Sequence, residues 1–434
     1  MPNIDPAVLS RAQAQLGRLG MDGWLLYDFH GRNSISGALL GLPEGQKRRY
    51  FVLLTPDRPP VALVQKIEVS GWDGWPWELR SYVSADDLEA GLRALVGGMK
   101  SVAMEISPLD NIPYVDNVPV GVAQLVESVG PEVVSSVDLI SLTAAQWTDK
   151  GLEAHVATAE LLAGVARAAF EMAAAASGLS PVPDGATSPP YFGRDGSAEG
   201  ALRSAGVLAS GAAPVTEYDI ARWIVQTLEK EGDLCGVGTI VAVGPNAAKP
   251  HYEPQKGTSS HVQAGQVFMV DLWGKNADEP EAVYADQTWM GFLGAEPPAD
   301  VATAWTTLVA SRDACVNRIR TSSEPTGAAA DAEARRVLIE GGYGAAIFHR
   351  TGHGIDRELH GVGPTLDSIE TTDDRRLVPG VGFSVEPGIY LEGRFGLRTE
   401  IDVHMTEDGP RVTPARIQYG LWTAVPAERG GTTE

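Results

Sequence analysis

"QVFMVDLWGKNADEPEAVYADQTWMGFL", residues 266–293, sets two apolar runs around a polar centre that carries a glycine and a proline. Runs rich in Val, Phe, Met and Trp, bounded by turn residues, read as buried strands, and two of them around such a centre read as a hairpin. Each run holds one acid, Asp271 at the end of "VFMVD" and Asp286 inside "VYADQTW". Side chains two apart along a strand share a face. Tyr284, Asp286 and Thr288 therefore point one way, and Asp271 is expected to face Asp286 across the hairpin.

Working outward, the chain from residue 239 onward is strand-rich, with "TIVAVG", "VGFSVEPGIYL" and "RTEIDVHMTEDG" as further runs. Two more acids sit in them, Glu386 in "FSVEPG" and Glu400 in "LRTEIDV". Alternation puts Arg398, Glu400, Asp402 and His404 on one face of a single strand. An ionised carboxylate among such residues costs several kcal/mol unless a cation compensates it. Four of them exceed the nearby basic supply, whereas two divalent cations would balance them. A neutral histidine adds a nitrogen ligand without charge. His353, between Gly352 and Gly354 in "HRTGHGIDRELHG" (349–361), is the candidate, its small neighbours allowing close approach. Oxygen ligands plus one imidazole favour Mn²⁺, Co²⁺, Fe²⁺ or Zn²⁺ over a thiolate zinc site. His349 draws no role from this pattern.

The 434 residues imply two domains, and 44% hydrophobic with 21% charged residues describes a globular chain. A net charge of −22 argues against nucleic acid, which demands basic patches. Only Cys235 and Cys315 are present, so neither a disulfide framework nor a zinc-thiolate cluster is expected. "MPNIDPAVLSRAQAQLGRLG" lacks the cationic-then-apolar pattern of a signal peptide, and no apolar run suggests a membrane span. A cytoplasmic location follows as an expectation. HExxH, the P-loop, the GxSxG elbow and a GxGxxG after a strand are all missing.

Before the strand-rich region, a helix over 5–20 leads to strands at 23–29, 49–55, 60–66 and 100–106, with a helix at 85–97. That alternation predicts an α/β domain over residues 1–147, with 148–434 as the second domain. An Ala-rich helix over 150–176 opens the second domain, and a Gly-, Pro- and Ser-rich insertion spans 178–213. Thr216 caps a helix over 216–232, and two helices lie within 298–340. In the first domain, "YDFHGRNS" (27–34) gathers Asp28, His30, Arg32 and Asn33 after a strand. The aromatic "GWDGWPWELR" (71–80) reads as a loop packed on its own domain.

"VTEYDIA", "AVGPNAAKPHY", "VDLWGK…VYADQTW", "GHGIDRELH", "FSVEPGIY" and "LRTEIDVHMTEDG" together resemble the pita-bread metallopeptidases: methionine aminopeptidase, prolidase, Xaa-Pro aminopeptidase and the related creatinase. The likeness covers most of residues 215–410. It implies an α+β pita-bread catalytic domain behind an α/β creatinase/prolidase-like N-terminal domain. It also implies that Asp271, Asp286, His353, Glu386 and Glu400 hold two divalent ions, Mn²⁺ foremost, with a bridging hydroxide as nucleophile. In the family Asp286 and Glu400 bridge both ions, and Glu386 also shuttles protons. His251, in "KPHYEP", and His360 match histidines that steady the substrate and the tetrahedral intermediate. The implied activity is hydrolysis of the Xaa-Pro bond in a dipeptide or short peptide. A dipeptidase is favoured over an aminopeptidase, with a metal-free creatinase-like amidinohydrolase and an inactive binding homologue as remote alternatives. The implied assembly is a homodimer, in which Arg32 or His30 would reach the partner's site, and Arg398 is a further substrate-binding candidate. Three departures stand out. Asp356 replaces a usual glycine, Gly361 replaces a usual acid after the second histidine, and Thr365 stands where prolidases often place an arginine.

Overall fold

The computed structural model describes residues 2–42, 46–183, 214–231, 233–234 and 238–427. Its contacts divide the chain into two units. The first runs to Gln146 and also takes in Val362–Pro364 and Thr371–Val381. The second holds Trp147–Gly361, Thr365–Glu370 and the chain from Gly382.

In the first unit the elements are α1 (Pro6–Leu19), β1 (Trp24–Asp28), α2 (Ser34–Leu40), β2 (Tyr50–Leu54), β3 (Val61–Gln65), β4 (Glu78–Tyr82), α3 (Ala85–Val96), β5 (Ser101–Met104), α4 (Val120–Ser128), β6 (Glu132–Ser135) and α5 (Val137–Ser141). The strands form one mixed sheet in the order β4-β3-β2-β1-β5-β6. β1 and β2 are buried at every position, and apolar at all but Asp28, because both faces of the sheet are covered. Trp24, Leu26, Tyr50 and Val52 enter one core, while Leu25, Tyr27, Phe51 and Leu53 enter the other. Trp72 and Trp75 of the aromatic stretch are buried in the first of these cores, as expected of a loop packed on its own domain.

The second unit contains α6 (Asp149–Ala176), β7 (Leu179–Pro181), α7 (Glu217–Lys230), β8 (Asp233–Leu234), β9 (Ile240–Val243), β10 (Val267–Asn276), β11 (Ala285–Phe292), α8 (Ala299–Thr321), α9 (Gly327–Glu340), β12 (Gly354–Ile355), β13 (Gly382–Val385), β14 (Gly388–Leu391), β15 (Phe395–Arg398), β16 (Ile401–Thr406), β17 (Gly409–Thr413) and β18 (Trp422–Pro426). Most of the expected insertion over 178–213 lies outside the described residues, as does Cys235; Leu179–Pro181 instead pairs with β18. Thr216 caps α7 in a reciprocal capping box with Asp219. The strands build a sheet in the order β7-β18-β11-β10-β8 with β9 also on β10, a second sheet β12-β13-β16-β17, and a ribbon β14-β15.

The hairpin expected at 266–293 is β10–β11. Its period of two sorts the side chains. Phe268, Val270, Leu272 and Trp289 pack with α6 and α7, whereas Val267, Met269, Met290 and Phe292 pack with α8, β14 and β15. Asp271, Asp286 and Thr288 have the parity of the second set, so both acids project to the face away from α6. Among the described residues no helix is long and apolar enough to cross a membrane.

Candidate active site

Register places Asp271 opposite Thr288 and Trp273 opposite Asp286. The two aspartates are therefore diagonal neighbours on one face rather than the directly opposed pair expected from the sequence. Glu386 and Glu400 also differ from expectation, because neither lies inside a strand. The run "VGFSVEPGIYL" breaks at Glu386–Pro387, where the chain leaves β13 for β14, and it returns through Thr399–Glu400 between β15 and β16. Val385 pairs with Ile401 on one side of the break and Gly388 with Arg398 on the other. Proline has no N–H for a ladder, so a crossing between two sheets is a natural place for it. The break turns both glutamates out of the ladders and toward the hairpin acids.

His353 sits where two backbones meet. Ser384 N donates to His353 O at 2.9 Å, and His353 N donates to Ser384 Oγ at 3.0 Å. A Cβ on Gly352 would lie 2.0 Å from Ser384 O. That glycine is thus required by the neighbouring strand, not by the approach of an ion as the sequence suggested. His353 Nδ1 lies 3.1 Å from Gly354 O and must donate, since a carbonyl only accepts. This leaves Nε2 as the free lone pair, 3.5 Å from Asp286 Oδ2 and 3.6 Å from Glu386 Oε1. Asp286, His353 and Glu400 offer ligand atoms that all lie within 4.8 Å of one another.

Arg398 ties the remaining acids together. Its guanidinium donates to Asp271, and its Nε donates to Thr288 Oγ1 at 2.8 Å. Thr288 in turn donates to Glu400 Oε2 at 2.7 Å. Arg398 also reaches Pro250 O and Tyr390 Oη, each at 3.3 Å. It lines the cavity, but its donors are directed at protein acceptors, so its first task is holding acids rather than the substrate contact anticipated. Tyr390 Oη is 2.7 Å from His349 Nε2, which gives His349 the place its sequence context had not supplied.

The four acids and His353 share one cavity of about 390 Å³ with His251, His349, Arg350 and His360. The His353 and His360 rings are 4.2 Å apart. His30 and Arg32 are not among its lining residues. They belong to the first unit, in a turn where Asp28 accepts from Gly31 N and Asn33 N and Asn33 caps α2. A larger cavity of about 650 Å³ lies beside the stacked Trp289–Trp422 pair, but among the described residues Glu160 is the one acid lining it, and its carboxylate accepts from Ala415 N.

Two departures from the family pattern prove to be one. A Cβ on Gly361 would come within 2.6 Å of the Asp356 carboxyl carbon. The Asp356 side chain occupies the space that a side chain at 361 would need, so an acid at 356 goes with a glycine at 361.

Electrostatics bear on what this site can hold. Burial raises the Asp271 carboxyl to about 7 despite the opposing charge of Arg398. Glu400 is raised well above its ordinary value by burial, then by Asp286, Glu386 and Asp271. Burial pulls His353 down, but its contact with Asp286 and the charge of Glu386 outweigh that and leave it raised. For Glu386 burial raises the carboxyl, yet His353, His349, Arg398 and Arg350 together leave it lowered. Asp286 Oδ1 is buried without a hydrogen-bond partner among the described residues. An unmatched carboxylate oxygen, like-charged neighbours and an imidazole lone pair, all converging, form a donor set that fits divalent cations.

The family model described as Metallopeptidase family M24 matches residues 163–407. The chain belongs to metallopeptidase family M24. It is similar to the probable dipeptidase PepE of Mycobacterium tuberculosis, 37% identical over 195 residues, or 45% of this chain and 48% of that protein. It is also similar to the Xaa-Pro dipeptidase of Lactobacillus delbrueckii subsp. lactis, 32% identical over 171 residues, or 39% of this chain and 43% of the relative. The chain thus spans about half the length of the curated relatives it matches. The crystal structure of dipeptidase PepE from Mycobacterium ulcerans superposes with a TM-score of 0.64 at 23% identity, covering 98% of this chain and 100% of that one. Its likeness shows the fold: an α/β N-terminal part followed by the α+β pita-bread part. In this M24 chain the sequence pattern missed Thr288 as a link, along with His349, Tyr390 and Arg350. Thr288 alone had a visible signal, its shared face with Asp286.

Proposed function

We propose that the chain is a metal-dependent peptidase that hydrolyses the Xaa-Pro imide bond, with Xaa-Pro dipeptides as its first substrates. The observation that carries this reading is the meeting of Asp271, Asp286, His353, Glu386 and Glu400 in one cavity, three of them with ligand atoms within 4.8 Å of one another. The chemistry supplied by two divalent cations at these five residues, Mn²⁺ foremost, is polarisation of the scissile carbonyl and a lowered pKa for the attacking water.

The chain's own residues supply the rest. Glu386, whose carboxyl is lowered once His353 and its basic neighbours outweigh burial, stays ionised. It takes the proton of the attacking water and returns it to the prolyl nitrogen as the imide bond breaks. His360 is pushed down to about 4 by burial, then by His353 and Arg350, so it is neutral at pH 7 and donates a ring N–H without adding charge. His360 and His251, both in the cavity wall, steady the oxygen of the tetrahedral intermediate. Thr365 does not provide the arginine that prolidases often carry; Arg350 in the same wall offers a guanidinium for the peptide's terminal carboxylate. A homodimer in the cytoplasm, with His30 or Arg32 of one protomer limiting substrate length at the other's site, completes the reading.

The test is hydrolysis of Xaa-Pro, Xaa-Pro-Yaa and a longer Xaa-Pro peptide by the full chain with added Mn²⁺. Cleavage confined to the dipeptide is the expected result. Efficient cleavage of the longer peptides would make the enzyme an Xaa-Pro aminopeptidase, and cleavage of none would end the proposal.

A further inference from the structure

We infer that Asp402, packed against His155, is a positioning residue that sets the Asp286 carboxylate for its cation, an inference that rests on the metal-site reading above. Asp402 is fully buried on β16, two residues beyond Glu400, where it pairs with Ser384 of β13 and Thr413 of β17. Its Oδ2 accepts from Asp286 N at 3.1 Å. That N–H lies on the edge of β11 away from β10. Along the same edge Met290 N donates to Gln418 Oε1 at 2.9 Å, before β18 takes over the pairing at Gly291 and Phe292. Asp402 thus takes the place of a pairing strand at Asp286, a β11 residue whose side chain lines the cavity.

His155, fully buried on α6, secures Tyr284, two residues before Asp286. Its Nδ1 lies 2.7 Å from Tyr284 O and must donate to that carbonyl, which leaves Nε2 to accept from Thr413 Oγ1 at 2.8 Å. Nε2 also packs 3.7 Å from Asp402 Oδ2, and the Trp147 ring lies 4.6 Å from the imidazole. Tyr284 N donates to Asp356 O at 3.1 Å. Tyr284–Asp286 is therefore fixed at three backbone atoms by α6, by β16 and by the turn after His353. β16 follows directly on Glu400, so one segment both provides that residue and aims the other.

Burying a carboxylate to receive one neutral N–H is a poor way to gain stability. Asp402 Oδ1 is buried with no hydrogen-bond partner among the described residues, and such an orphan is destabilising. A role in orienting Asp286 accounts for keeping it, because groups that orient ligand side chains typically govern metal affinity by about 10–100-fold.

The experiment titrates Mn²⁺ into the full-length chain freed of metal, by calorimetry, with a melting curve for each variant and the visible spectrum of the Co²⁺ form as a second readout. Asp402→Leu removes the acceptor and is expected to weaken Mn²⁺ binding by about 10–100-fold and to alter the Co²⁺ spectrum. Asp402→Asn keeps an acceptor oxygen and is expected to stay within about threefold of wild type. A folded Asp402→Leu that binds Mn²⁺ as wild type does, or an Asp402→Asn that loses as much as Leu, overturns the inference. If Asp402→Leu does not fold, His155→Phe releases Tyr284 O and Thr413 Oγ1 while Asp402 stays in place, and it is read the same way, unchanged affinity being contrary. Failure of the wild type itself to bind Mn²⁺ would instead overturn the metal-site reading, and this inference with it.

Discussion

Both units bury carboxylates among apolar strands, and they treat them in opposite ways. In the first unit Glu105, fully buried just past β5, has both oxygens engaged. Trp24 Nε1 donates to Oε1 at 2.5 Å and Ser136 Oγ at 3.3 Å, while Asn33 Nδ2 donates to Oε2 at 2.8 Å. Nothing is left over, and the residue ties β1, β5 and the starts of α2 and α5 together. In the second unit Asp271, Asp286, Glu386 and Glu400 converge on one another around His353, and an Asp286 oxygen stays unmatched. A buried acid alone therefore says little about chemistry. What marks a site is several acids sharing a cavity without enough neutral donors or cations between them.

The contrast is broken most severely at the second unit. Asp286→Asn or Glu400→Gln is expected to lower Xaa-Pro hydrolysis by more than the roughly 100-fold typical of residues that merely orient ligands. Glu105→Gln should leave kcat/KM close to wild type, and a comparable loss there would erase the distinction between the two kinds of acid. Glu105 should show itself in stability instead. Burial raises its carboxyl from 4.5 to about 7, against the donation from Trp24, Asn33 and Ser136. The folded state thus holds this proton more tightly than the unfolded one. Stability is full below about pH 4.5 and falls as pH rises toward 7, by roughly 3 kcal/mol in all. Denaturation of wild type against Glu105→Gln from pH 4 to 8 should show the variant with the flatter profile.

A smaller effect tests the exchange at the edge of the site. Gly361→Ala should cost about 1–3 kcal/mol by crowding the Asp356 carboxyl, and Asp356→Gly in the same chain should recover most of it. Additive losses would show that the two positions do not share that space. Smallest of all, Arg32→Ala should shift KM for short against long substrates by about tenfold or less, since an exposed surface charge contributes on the order of 1 kcal/mol. Kinetics unchanged for both lengths would exclude a reach into the partner's site.

Much of this was legible in residue order. The hairpin at 266–293 was readable because two apolar runs flank one polar turn, and period-two alternation placed Asp286 and Thr288 on one face. Register was not readable, which is why Asp271 meets Thr288 instead of Asp286. The run through Glu386 looked like one strand because its apolar residues continue on both sides; Pro387 was the only local sign of a crossing between sheets. His349 and Tyr390 lie 41 residues apart and meet only through tertiary packing, so neither could point to the other. Gly352 does mark a close approach, and the neighbour it admits is the Ser384 carbonyl. In the first unit, Glu105 ends an apolar run much as Asp271 does, and only its three donors set it apart.

The most direct test is the metal dependence of Xaa-Pro dipeptide hydrolysis by the full chain. After exhaustive chelation, activity should vanish and then return with Mn²⁺, saturating near two ions bound per chain. Undiminished hydrolysis after chelation, or a chain that binds no divalent ion at Asp271, Asp286, His353, Glu386 and Glu400, would contradict it.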